Sequence, residues 1–144
     1  MITQREPIYS ALFTLLKTAA GFKWYSRRMA LWGDVPAAKK PSLILFTPTE
    51  QWVSTGLQNP QKTTLDATIF IYTIDGKDPN AVPIIAMNNL CDAVCGVLQP
   101  APLYQNQTLG GLVSNCWVEG EIYKEAGDLD GDGLAMIPLK ILVP

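Results

Sequence analysis

Apolar residues recur at three- and four-residue intervals through Ile8, Leu12, Leu15, Leu16 and Ala19, the spacing that lines one face of an α-helix. The pattern predicts a first amphipathic helix, with Lys17 towards its C-terminal end and Gly21 as its stop. Two start signals compete. Thr3 and Glu6 have capping-box spacing, whereas Pro7 favours the first turn after a cap at Glu6. The stretch from Ile8 to Leu16 also has the look of a weak signal-peptide core, but Glu6 occupies its would-be basic flank and Tyr9, Ser10 and Thr14 interrupt it, so it reads as a folded helix.

From Phe22 to Lys40 the periodicity gives way to aromatic and basic residues, which predicts a short strand and a long surface excursion. Ser42 to Phe46 is a short apolar run between Pro41 and Pro48, the mark of a buried strand, and residues 53–62 read as a loop. Thr64 to Ile74 carries the clearest strand pattern, with Leu65, Ala67, Ile69 and Ile71 on one face and Asp66, Thr68, Phe70 and Tyr72 on the other. A dense turn (Asp75 to Asn80) ends it.

Ile84, Met87, Cys91, Val94 and Leu98 then return to helical spacing, with Pro83 in the first turn and Asn88, Asn89 and Asp92 on the wet side. Two further strands follow, Leu112 to Tyr123 and Leu134 to Val143, joined by the acidic turn 128–133. Ala135, Ile137, Leu139, Ile141 and Val143 share the buried face of the last, and Pro138 belongs at an edge or a bulge. The order helix, strands, helix, strands, without a repeated strand-helix-strand unit, predicts an α+β fold: two helices on one face of a mostly antiparallel four- to five-stranded sheet in one domain, 1–144.

Composition narrows the chemistry. The 144 residues are 48% hydrophobic and 17% charged, with a mean hydropathy of +0.12, which fits a compact domain rather than a disordered chain or coiled coil. No apolar run approaches a membrane span. The chain has no histidine, so the commonest general base, metal ligand and nucleophile partner are missing together. Cys91, Cys95 and Cys116 form no C-x-x-C pair and are expected as small core residues in a reducing compartment. Asp128, Asp130, Asp132 and Gly133 match the first half of an EF-hand loop, but the twelfth position is Leu139 rather than Glu, so a solvated hairpin turn is expected and no metal or cofactor. Glu119 and Glu121, two apart on the predicted strand, share one wet side and are expected as surface charge. Lys23 to Arg28 is basic and aromatic, yet no nucleic-acid motif accompanies it and the sequence pI is about 5.0, so sequence-specific nucleic-acid binding is not expected.

Charge is nonetheless polarised. Residues 1–40 hold seven basic and two acidic side chains, net +5, and the remainder four basic and eleven acidic, net −7. Such asymmetry suits contact with nucleic acid or a membrane, or pairing of unlike surfaces between copies, and the plain alternative is solvated charge that folding mixes together.

The arrangement of segments resembles a known family. Arg5 to Leu12 on a first helix, Arg27-Arg28 ahead of a Trp and a Pro-flanked strand, Leu65 to Tyr72, the helix Ile84 to Leu98, Gln107 to Val113, Val118-Glu119-Gly120-Glu121-Ile122 and Ile137 to Ile141 together are similar to the tail terminator and tail-completion proteins of long-tailed bacteriophages and prophages. That resemblance implies a minor tail protein without enzyme activity. Its ring, usually sixfold, ends tail polymerisation on the last turn of the major tail protein and joins the tube to the head connector or neck, with DNA passing its lumen. It implies a place at the head-proximal end of the virion tail, reached by assembly in the host cytoplasm. Neighbouring neck and head-closure proteins are similar ring formers, and a cation- or small-molecule-binding module using turn 128–133, or a carboxylate-dependent hydrolase, is the alternative of a different class. The expected subunit contact pairs Arg27 and Arg28 with Glu119 and Glu121 of the next copy, with Trp24 and Trp32 supplying apolar area.

Overall fold

The computed structural model describes residues 4–54, 56, 62–74, 80–100, 102, 105–128 and 130–144. Helix α1 (Arg5–Leu16) buries Ile8, Tyr9, Leu12 and Leu16, as its spacing predicts. It ends before Gly21, and Ala19 is carried into the core by the turn that follows. No side chain caps its start at Gln4; Pro7 sits in the first turn, where a missing N–H leaves no helical bond unmade.

Strand β1 (Trp24–Ser26) lies parallel to β2 (Ser42–Val53), which pairs antiparallel with β3 (Lys62–Ile74). The apolar run at Ser42–Phe46 is thus only the inner part of a longer strand. Pro48 does not end it, because β1 covers β2 only at Ser42–Ile44 and the outer edge beyond needs no donor, while the register shifts between Phe46 and Thr49. Of the loop expected at 53–62, all but Val53, Ser54, Gly56 and Lys62 lies outside the described residues, as does the turn at 75–79.

Helix α2 (Pro83–Leu98) buries Met87, Leu90, Cys91, Val94 and Leu98. The strand expected at 112–123 is two short strands, β4 (Asn115–Val118) and β5 (Tyr123–Glu125), which pair with opposite ends of β6 (Asp132–Leu142). Since β3 occupies the other edge of β6 along its length, β4 and β5 share one edge. The sheet therefore has six strands, in the order β1-β2-β3-β6 and then β4 and β5. The α+β, mostly antiparallel architecture is as the sequence predicts.

The main core lies between the sheet and both helices, where Leu12, Leu16, Leu65, Ile69, Met87, Val94, Ile137 and Leu139 meet. Alternation is strict along β6 and along β3 as far as Ile71, beyond which Tyr72 and Thr73 are buried as well, and Ala135, Ile137, Leu139, Ile141 and Val143 are all buried. The opposite sheet face has a smaller apolar cluster that the sequence pattern did not reveal. Here residues 27–40 fold back over Val35, Ile44 and Tyr72, with Trp24, Ala30 and Trp32 packed around them. Hydrogen bonds pin this strap: the Tyr72 hydroxyl donates to the Ala30 carbonyl (2.7 Å) and Trp32 Nε1 to the Thr73 carbonyl (2.9 Å).

Candidate functional site

Two outer edges of the sheet carry the residues that charge patterning singles out. At one end, β1 and the strap after it present Lys23, Arg27 and Arg28 to solvent. Arg27 is engaged within its own chain by a two-pronged ion pair with Glu6 of α1; the guanidinium holds the Glu6 carboxyl below its ordinary value. Arg28 is tied by its backbone, its N–H donating to Ser26 Oγ, and its side chain points outward.

Trp24 and Trp32 lie on this side too, but as packing for their own subunit. Lys39 Nζ sits 5.0 Å from the centre of the Trp24 ring and Lys40 Nζ 3.0 Å from that of Trp32, so one face of each indole is covered by a cation of the same chain. Lys40 is buried, and burial lowers the pKa of its ammonium while the charge of Asp132 opposes that shift. The exposed apolar side chains of this region are instead Met29 and Leu31, the latter 72% accessible. Nothing in the linear pattern separates them from the strap residues that pack inward.

At the far end, Glu119 and Glu121 do not share a strand face. They lie in the irregular link between β4 and β5, both exposed. Four residues, 119–122, stand there against two of β6, 137 and 138. Glu119 accepts a bond from Trp117 Nε1 (3.3 Å) and gives its own N–H to the Pro138 carbonyl (3.2 Å). With Glu125 on β5 this edge is acidic, whereas Asp132, at the start of β6 opposite Ile74 of β3, acts on Lys40 of the strap. The structure thus places the basic pair and the acidic pair at opposite ends of the sheet, too far apart in the strand order to pair within one chain.

The acidic turn is used internally. Asp130 accepts the Asp132 N–H (2.9 Å) and the Gly131 N–H bonds to the Gly127 carbonyl (2.9 Å), the bonding of a capped hairpin turn; Leu129 lies outside the described residues. Among the described residues no three His, Cys, Asp or Glu side chains are grouped to hold a metal ion.

An open groove of about 400 Å³ runs between the end of α2 and β4, lined by Cys95, Leu98, Gln107, Asn115, Cys116 and Trp117 among others. Among the described residues no charged side chain lines it. Its thiols are raised in pKa by burial, Cys116 to about 12, so they stay protonated at neutral pH. All three cysteines are free; Cys91 and Cys116 are core residues as expected, whereas Cys95 is only half-buried. Among the described residues no helix is long and apolar enough to cross a membrane.

No protein-family model and no curated protein matches the sequence. Among solved structures, the chain is similar to one from the virion of a native gene transfer agent particle, with a TM-score of 0.48 and 14% identity over 94% of this chain and 90% of that one.

Proposed function

We propose that this chain is a ring-forming structural subunit of a phage-type tail, acting as the tail terminator. In this reading it caps the completed tube, stops addition of the major tail protein and offers its other surface to the head connector, with DNA passing through the ring. It carries out no catalysis, and its place is the head-proximal end of the tail.

The observation that carries the proposal is the polarity of the sheet. A closed ring requires two different, complementary surfaces on every subunit, and here one terminal strand region is basic while the other is acidic, at opposite ends of a single sheet. Six copies, as the resemblance to tail terminators implies, would bring each Arg28 towards the Glu119–Glu121 link of its neighbour. The cation-binding alternative is less well supported, because one oxygen of Asp130 already accepts a backbone N–H and Asp132 acts on Lys40.

The test is to add the purified chain to growing tubes of a phage major tail protein, and to examine the products by electron microscopy. Tubes should stop lengthening and carry a ring at one end. Tubes that continue to grow, without a cap at any ratio of the two proteins, would rule out a terminator.

A further inference from the structure

The helix-free face of the sheet is only partly covered by the strap. Register fixes which side chains share it: Ile44, Phe70, Met136 and Tyr123 form one row across β2, β3, β6 and β5, and Phe46, Thr68 and Pro138 the next. Strap residues bury Ile44. Further along, accessibility rises, with Phe46 at 36% and Tyr123 at 49%. Phe46 and Phe70 meet edge-on, 6.1 Å between centres. The result is an aromatic and thioether surface on a rigid sheet, bordered along its β5 side by Glu119, Glu121 and Glu125.

The same chain bears a matching projection. Arg27 and Arg28 are followed by Met29 and Leu31, both exposed, on a strap whose ends are pinned by the Tyr72 and Trp32 bonds described above. Two apolar side chains beside Arg28, the member of the basic pair that Glu6 does not engage, complement an apolar surface beside three carboxylates, in both chemistry and charge. Within its own subunit the strap packs at the near end of this surface, against the cluster that includes Phe70, while Leu31 itself is left open to solvent.

We propose that the Met29–Leu31 projection of one copy seats on the Phe70–Met136–Tyr123 surface of the next, with Arg28 set against the Glu119–Glu125 border. This rests on the ring reading and deepens it, because it assigns the apolar centre of the contact to Leu31 and Tyr123 rather than to the two tryptophans, each of which has one ring face covered by a lysine of its own chain. A head-to-tail contact of this kind repeats without using up either surface, as ring closure needs.

Complementation between half-broken subunits tests it. Leu31→Ser disables the projection and Tyr123→Lys the surface; both sites are exposed, so circular dichroism should show unchanged folding, and Met136→Lys serves as a second surface variant. In native mass spectrometry, each variant alone should self-associate at least tenfold more weakly than wild type. Leu31→Ser mixed with Tyr123→Lys should give a one-to-one dimer and nothing larger, because only one productive contact remains between them and the two altered surfaces carry no opposite charges to pair. A mixture that stays monomeric overturns the contact, as do variants that assemble as wild type does. Tyr123→Lys forming normal rings but no longer capping tubes would assign the surface to the major tail protein instead, and overturns it too. Wild type that is monomeric both alone and with tubes overturns the ring reading itself, an outcome distinct from assembly that ignores these substitutions.

Discussion

Pro138 of β6 lies directly against Gly120, its Cγ 3.4 Å from the position a β-carbon on Gly120 would occupy, and Gly120 adopts φ +108°. The contact explains why the β4–β5 edge is broken where it is. Pro138 has no N–H to offer a neighbouring strand, so the ladder lapses beside it and the partner chain loops outward through 119–122 before pairing again at Tyr123. The loop carries Glu119 and Glu121 away from the sheet and into solvent, making the acidic edge a consequence of one proline.

Gly120→Ala should cost about 1–2 kcal/mol, since a side chain at positive φ is strained, while the proline ring at 3.4 Å would be in ordinary contact with the added methyl. Urea denaturation measures it as a lower midpoint at unchanged slope. Unchanged stability would mean that the link relaxes freely and that Pro138 does not fix its course.

Leu139 is 1% exposed in the centre of the core. Leu139→Ala should therefore cost about 2–5 kcal/mol, the range for a buried leucine that leaves a partly collapsed cavity. Lys124→Ala on β5, an exposed site whose amine reaches Asn88 Oδ1, should change stability by less than about 0.5 kcal/mol. Similar losses at the two sites would contradict the packing of β6.

The strands and helices were legible where a single constraint acted on them. Period-two burial in β6 and most of β3 and the 3.6-residue stripe of α2 follow directly from one wet and one dry face. Tyr72, on the semi-polar side of β3, is instead buried by the strap, and Leu90 joins the α2 stripe while Ile84 is only partly buried. Where two influences compete the linear pattern misleads. Pro48 reads as a strand end because its effect depends on whether a neighbour needs its N–H, and only the shortness of β1 decides that. Residues 112–123 read as one strand because the interruption comes from Pro138, distant in sequence. Trp24 and Trp32 read as candidate contact anchors because aromaticity does not say which side of the sheet a strap will cover. The charge polarity, by contrast, was visible in composition alone, and the sheet order turned it into two opposite edges.

Thr63 is 2% exposed and its hydroxyl finds no hydrogen-bond partner among the described residues. An unpaired buried hydroxyl costs free energy that a methyl group does not. Thr63→Val should accordingly raise stability by about 1 kcal/mol, read as a higher denaturation midpoint. A destabilised variant would show that the hydroxyl is satisfied after all.

Acid stability should depend on Glu50. Arg5 donates two bonds to its carboxylate, at 2.7 and 2.8 Å, and Trp52 Nε1 a third at 3.0 Å. These donors, Arg5 first, lower its pKa from 4.5 to about 2. A carboxylate depressed in the folded state stabilises fully above its unfolded value and loses that contribution as pH falls through the folded one. The melting temperature of wild type should thus decline between pH 4.5 and about 2 more steeply than that of Glu50→Gln, which has no proton to take up there. Parallel acid limbs in the two proteins would show that the Arg5–Glu50 pair does not persist in solution.

The charges at the two edges should act on the rate and salt dependence of assembly more than on folding. Arg27 is the poorer probe, since reversing it also sets a carboxylate beside Glu6 within the same chain. Arg28 has its side chain in solvent and its backbone held by Ser26, so Arg28→Glu leaves the subunit intact while changing what a neighbour meets. Exposed charges steer encounter over about one Debye length, roughly 8 Å at physiological ionic strength, and contribute less to the lifetime of the finished contact than apolar burial does. Arg28→Glu should therefore slow ring formation severalfold at low salt and converge on the wild-type rate in high salt, with an unchanged melting temperature. Glu121→Lys in the same chain should restore part of the low-salt rate, because it returns an attractive pair to the interface. Stopped-flow light scattering across a salt series gives the rates. Assembly of Arg28→Glu that matches wild type at every ionic strength would show that the basic edge is solvated charge, with no part in how copies find one another.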